Sequence, residues 1–113
     1  MNEYIKKQFV PYEIAVLLKD LNFDESCFAI FARTEFSLSL HYNWKNSEVQ
    51  PNVATAPLWQ QVIDWLYEKR IAISQLPFTN RYGVAHKFQN AEESTFIGGF
   101  TKEKAILEAL KLL

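Results

Sequence analysis

The stretch APLWQQVIDWLYEKR, residues 56–70, constrains this chain more than any other. Trp59, Val62, Ile63 and Leu66 recur at the spacing of one helical face, and Leu58 and Trp65 widen it. Gln60, Gln61, Asp64, Glu68 and Lys69 fall largely on the opposite side. Pro57 suits a first helical turn, where its missing N–H has no acceptor to lose, and Thr55 stands where an N-cap would. The spacing predicts an amphipathic helix over residues 56–70, with strand-like runs before and after it. An apolar helical stripe has to be buried against another layer, so helices on a sheet are expected.

The segments ahead of this helix follow both periods. The first eight residues are polar and mixed in charge, and are expected to fray. Ile14, Leu17, Leu18 and Leu21 place a helix over residues 10–21, with Pro11 near its start. Asn22 tolerates the left-handed conformation that ends helices, and Phe23 is positioned to fold back on the helix end. Asp24-Glu25-Ser26 is turn chemistry. Residues 28–33, FAIFAR, are apolar on both alternations and read as a strand covered on both sides or at a sheet centre. Phe36, Leu38, Leu40, Tyr42 and Trp44 then alternate with Ser37, Ser39, His41 and Asn43, the pattern of a half-buried strand. A tight turn at Arg33-Thr34-Glu35 makes these two runs an antiparallel hairpin, although no Gly marks it; without the turn they form one long strand. Residues 45–55 read as a polar loop containing Pro51.

After the central helix, residues 71–76 read as a third strand ended by Pro77, and Thr79-Asn80-Arg81 as a turn. Tyr82, Val84, His86 and Phe88 alternate with Gly83, Ala85, Lys87 and Gln89 in a fourth strand. A polar turn over residues 90–94 leads to a short last strand, residues 95–100, weakened by Gly98-Gly99. Thr101 caps a final helix that aligns Ile106, Leu110 and Leu113. The expected fold is therefore a single α+β domain over residues 1–113: an antiparallel sheet of four to five strands with three helices, in the order αββαββ(β)α. Each half carries a hairpin near a helix, with no repeat at the residue level.

Composition narrows the function classes. A chain of 113 residues with 49% hydrophobic residues buries a core without disulfides or metal, and disorder is excluded on the same ground. Three Trp and nine Phe are many for this length; they fill cores, and they are also what binding surfaces expose. Twelve Lys plus Arg against thirteen Asp plus Glu leave a net charge of -1, without the basic excess of most nucleic-acid domains. The single cysteine, Cys27, forms no intramolecular disulfide and fits a reducing cytoplasm. Residues 1–10 lack the apolar core of a signal peptide, and no run approaches the roughly 20 apolar residues of a membrane span. The expected location is the cytoplasm, with no membrane partner.

Enzyme constellations are nearly missing. Gly98-Gly99 is a pair and not a phosphate-cradling loop. His41 and His86 fall on separate predicted strands and, with Cys27, lack the paired short spacings of zinc sites, so neither metal nor cofactor is expected. A Cys27–histidine nucleophile lacks an accompanying acid or oxyanion feature, and a Cys between a turn and an apolar strand reads as a small buried hydrophobe. His86 shares the alternation of Tyr82, Val84 and Phe88 and reads as core-facing, whereas His41 reads as exposed. Asp64 and Glu68 read as a solvated helix face. No catalytic residue is assigned. The candidate binding surface is Tyr42, Trp44 and Lys45 near Arg33, aromatics beside cations at a strand end. Arg81, Tyr82 and Lys87 form a weaker version on the second hairpin.

Three segments carry a resemblance: YEIAVLLKDLNFDESCFA (residues 12–29), APLWQQVIDWLYEK (residues 56–69) and the closing FTKEKAILEALKLL. Together they resemble a group of small uncharacterised proteins from phages, prophages and mobile elements of Bacteroidetes, most specifically in A-P-L-x-Q-Q-x-x-D-W-L-x-E-K. Members usually carry Gly where Asn22 stands, which keeps the left-handed cap chemistry. They often carry His where Arg70 stands, which argues against a shared imidazole there. The resemblance implies a phage or mobile-element origin and brings no catalytic motif.

These features lead to an expected function: a non-enzymatic accessory protein that binds a protein partner or a second copy of itself as a homodimer. Nucleic-acid binding ranks second, and a small hydrolase or transferase using Cys27 third.

Overall fold

The computed structural model describes residues 3–39, 41–87 and 94–113, apart from the side chains of residues 86, 87 and 94–97. The fold is α+β, with two three-stranded antiparallel sheets where the patterning predicts one larger sheet. The chain divides into two compact units, Met1–Trp59 and Gln60–Leu113. Among the described residues no helix is long and apolar enough to cross a membrane.

The first unit opens with a short helix, α1 (Glu3–Lys6), where fraying is expected from its polarity. Trp59 explains the order: its Nε1 donates to the Lys7 carbonyl at 2.8 Å, and its backbone N–H to that of Gln8 at 3.3 Å. Helix α2 (Tyr12–Asp20) buries Ile14 and Leu18 of the predicted stripe together with Ala15, whereas Leu21 is half-buried and Leu17 is exposed. It also ends as predicted. Asn22 has φ 67°, its N–H donates to Lys19, and the Phe23 N–H donates back to Leu18 at 2.9 Å, which folds a fully buried Phe23 onto the helix end.

Strands β1 (Ala29–Ala32) and β2 (Glu35–Leu38) form the expected hairpin, with Ala32 opposite Glu35. Arg33 takes the left-handed conformation (φ 60°) in which Gly is usual, matching the twist of the flanking strands. The long alternation ends early as regular strand, at Leu38. Ser39 still donates to Phe28, and Trp44 returns to exchange a pair of 2.8 Å bonds with Cys27. Leu40 lies outside the described residues.

The largest departure from expectation is at residues 45–58. They hold a 3₁₀ turn (Asn46–Glu48) and a third strand, β3 (Val53–Ala56), which gives the sheet order β2-β1-β3. Thr55 is therefore a buried strand residue and not an N-cap, and Pro57 precedes the helix. The competition is non-local. Extended residues 53–58 pair with β1 on one side, and beyond it Val10 donates to the Pro57 carbonyl at 3.0 Å while Phe9 bridges Leu58. A helical turn would surrender those bonds. Ala29, Ala54 and Ala56 share a buried sheet face with Phe31, and α2 lies against β3.

The second unit takes in helix α3 (Trp59–Glu68) from Gln60 onward; Val62, Trp65 and Leu66 are its buried residues. Arg70, at φ 67°, closes it and donates to Tyr67 at 2.9 Å. Strands β4 (Ile71–Gln75), β5 (Tyr82–Lys87) and β6 (Ser94–Phe100) follow in the order β4-β5-β6. Helix α4 (Lys102–Leu110) lies against all three strands. It buries Ala105, Ile106, Ala109 and Leu110, whereas Leu113 is exposed. Thr101 caps it as predicted, its hydroxyl accepting from Lys104 N–H at 3.2 Å.

Candidate binding surfaces

Tyr42, Trp44 and Lys45 lie together. The Cys27–Trp44 bridge fixes the backbone there, and the Tyr42 and Trp44 rings meet at 5.2 Å between centroids, inclined by 53°. Tyr42 is 62% exposed, Trp44 half-buried and Lys45 exposed. Arg33 is not part of this group. It sits at the opposite end of β1 from Cys27, about 20 Å away at the rise of an extended chain. Its backbone N–H donates to Asn52 at 3.3 Å, and its left-handed turn accounts for its place.

Across the bridge from Trp44, Cys27 is fully buried and its thiol donates to the Glu25 carbonyl at 3.4 Å. Burial pushes the thiol up to about 11, and the Glu25 charge adds to this while the Thr55 hydroxyl works against it. A thiol held there is almost wholly protonated at neutral pH, and the thiolate is the nucleophile. A maleimide is expected to react with the folded chain at least about a hundredfold more slowly than with the urea-unfolded chain. Comparable rates would restore Cys27 as a reactive group. His41 is exposed, and the His86 side chain lies outside the described residues. Among the described residues no three His, Cys, Asp or Glu side chains are grouped to hold a metal ion.

A shallow polar pocket is lined by Lys19, Asn22, Phe23, Asp24, Asn46 and Ser47, but the chain itself uses its polar atoms. Asn46 donates to the Phe23 carbonyl at 2.7 Å and accepts from Thr55 N–H at 2.9 Å. Asp24 accepts from Ser47 N–H at 2.7 Å, and that bond holds its carboxyl below the usual range. The Lys19 ammonium donates to the carbonyls of Gln50 and Val53. Asp64 accepts from Gln60 on the same helix, which leaves the solvated reading of that face intact.

The second surface is the loop between β4 and β5. Phe78 stands at its tip, 108% exposed and at φ 61°. A large aromatic residue in the left-handed region costs about 1–2 kcal/mol. The loop holds it there with a set of local bonds. Leu76 N–H donates to Arg81 at 2.8 Å, the Thr79 hydroxyl donates to Leu76 at 3.1 Å and accepts from Arg81 N–H at 3.1 Å, and the Gln75 amide donates to Thr79 at 2.9 Å. Arg81 is exposed beside the tip, and Tyr82 carries the Lys102 ammonium 5.6 Å from its ring centroid. Sequence reasoning places Arg81 and Tyr82 on this hairpin but passes over Phe78. The available signal is an aromatic directly after Pro77 in a segment that is otherwise turn chemistry, where no alternation carries it into a core.

No protein-family model matches the chain, and neither a curated protein nor a solved structure shows significant similarity to it.

Proposed function

We propose that this chain is a non-enzymatic accessory protein of a phage or mobile element that acts by binding another protein. The observation that carries the reading is Phe78, an aromatic side chain held wholly in solvent on a hydrogen-bonded loop, in the left-handed backbone conformation that Gly or Asn adopts at less cost. Because the loop is already ordered, docking this aromatic costs mainly the rotamer freedom of one ring, and the ring supplies the apolar area of a binding anchor. The buried, protonated Cys27 weighs against the nucleophilic alternative. Tyr42 and Trp44 offer a second aromatic contact in the first unit.

Nucleic-acid binding remains the second reading, drawn from the run between Glu68 and Glu92, which contains Lys69, Arg70, Arg81 and Lys87 and no acid. Photo-crosslinking separates the two. With p-benzoylphenylalanine at position 78, the chain is expected to yield discrete protein adducts in extract of the host bacterium. The same group at exposed Tyr4 serves as the background. Adducts to RNA or DNA, lost steeply as salt rises, would replace the protein-binding reading, and adducts no stronger than those at Tyr4 would end it.

A further inference from the structure

Every β-sheet edge offers unpaired backbone groups, and proteins blunt such edges with charge, irregularity or cover. Among the described residues, three of the four sheet edges are blunted. In the first sheet β2 carries Glu35 on a four-residue strand, and β3 is covered: Asn46 takes the Thr55 N–H and Lys19 the Val53 carbonyl. In the second sheet β6 is broken by Gly99 at φ 88° and by a register shift against Tyr82 and Val84.

The edge β4 carries neither charge nor irregularity, and cover only at its start: Ile71 is fully buried, Ala72 and Ile73 half-buried, Ser74 and Gln75 exposed. Its sequence, Ile71-Ala72-Ile73-Ser74-Gln75, is uncharged and regular, and it pairs only with β5 among the described residues. The direction of its backbone follows from one bond. Leu76 donates to Arg81, its direct partner in the register, so the bonded pairs inward from it are Ser74–Gly83 and Ala72–Ala85. The N–H and C=O groups of Ile71, Ile73 and Gln75 therefore point outward from the sheet; Ile71 is fully buried, so those of Ile73 and Gln75 are the ones open to a partner.

We infer that the outer edge of β4 accepts an extended, acid-flanked segment of a partner protein as an added strand, with Phe78 anchoring the segment at the loop end. This rests on the protein-binding reading and names the chemistry of the partner. Cations flank the edge: Lys69 and Arg70 at its start and Arg81 past its end, all exposed, with no acid between Glu68 and Glu92. Carboxylates at the two ends of an added strand meet them, while main-chain bonds supply the register. A second copy fits less well. Two β4 strands paired antiparallel about Ile73 would set the copy's Arg70 opposite Leu76, about 10 Å from Arg81, and line one seam with like charges.

The test is amide hydrogen exchange by NMR on the full chain. The probe is a synthetic peptide of alternating threonine and valine with aspartates at both ends. Its binding is expected to slow the outward, accessible amides of Ile73 and Gln75. The amides of Ala72 and Ser74, already bonded to β5, should not change. The same peptide ended in lysines should bind on the order of tenfold more weakly. Ile73→Pro removes an outward N–H and leaves the β5 ladder intact, so it should weaken the aspartate peptide by about tenfold or more. If that variant fails to fold, the exchange pattern of the natural chain still decides. Outward amides that stay fast at saturating peptide overturn the proposal. Outward amides already slow without peptide, in a chain that light scattering shows to be dimeric, assign the edge to a second copy and overturn it as well. Fast edge amides together with protein adducts at position 78 sink strand addition alone. Fast edge amides without protein adducts at position 78 sink the protein-binding reading with it.

Discussion

Replacing Asn46 by alanine is expected to destabilise the first unit by about 2–5 kcal/mol, read from the urea midpoint at unchanged slope. Asn46 is 8% exposed, and its amide satisfies two groups from distant parts of the chain, the Phe23 carbonyl after α2 and the Thr55 N–H in β3. Phe23 and Thr55 are both fully buried, so water has little access to replace either bond. Each abandoned group then carries its own desolvation cost of about 1–3 kcal/mol. Against a total stability of roughly 5–15 kcal/mol, this loss approaches unfolding. Asn46→Asp sharpens the test. An ionised aspartate keeps the acceptor for Thr55 but loses the donor to Phe23 and buries a charge, so its folded-state carboxyl is raised above the unfolded value. A raised carboxyl makes the folded state bind more protons. The variant should be most stable below the unfolded value, near 4, and lose stability as pH rises through the raised one. A pH-independent variant, or an alanine effect below about 1 kcal/mol, would show that the bridge carries little.

Phe78→Gly is expected to separate binding from stability. The side chain buries nothing, and glycine relieves the left-handed strain while adding freedom to the unfolded chain, so the net change in stability should stay within about 1 kcal/mol. Binding should fall by a factor on the order of thirty or more, the loss that marks a central aromatic anchor. The affinity is measured on the protein that position 78 crosslinks. Binding unaltered at unchanged stability would make the exposed ring incidental. A large drop in stability would mean the loop needs the ring for its own structure.

The helices were largely legible because their signals act over a few residues. Ile14, Leu18, Val62, Leu66 and Ile106 are all buried where the periodicity puts them, and Asn22 and Thr101 end and begin helices by local hydrogen bonds. Strands were harder. Residues 53–56, VATA, lie beside a strong helical stripe and were expected to cap it; they are strand because β1 supplies partners from more than twenty residues earlier. The Tyr42, Trp44 and Lys45 group was legible from alternation along one run. Arg33 was drawn toward it by closeness in sequence, but the hairpin puts sequence neighbours of its turn at the far end from Trp44. Phe78 was illegible as a site, because a phenylalanine in a turn gives no sign of whether a core will receive it.

By itself the sequence determined the α+β class, the helical faces and the caps at Asn22 and Thr101, since each depends on side-chain period or on bonds within a turn of chain. Only the tertiary structure decided that the strands divide into two sheets, that residues 33–35 turn, that Thr55 and Pro57 belong to extended chain, that Cys27 is buried, and that Phe78 faces solvent. Those outcomes depend on which distant backbone groups pair and which surfaces are covered, and the free energy of pairing belongs to both partners at once.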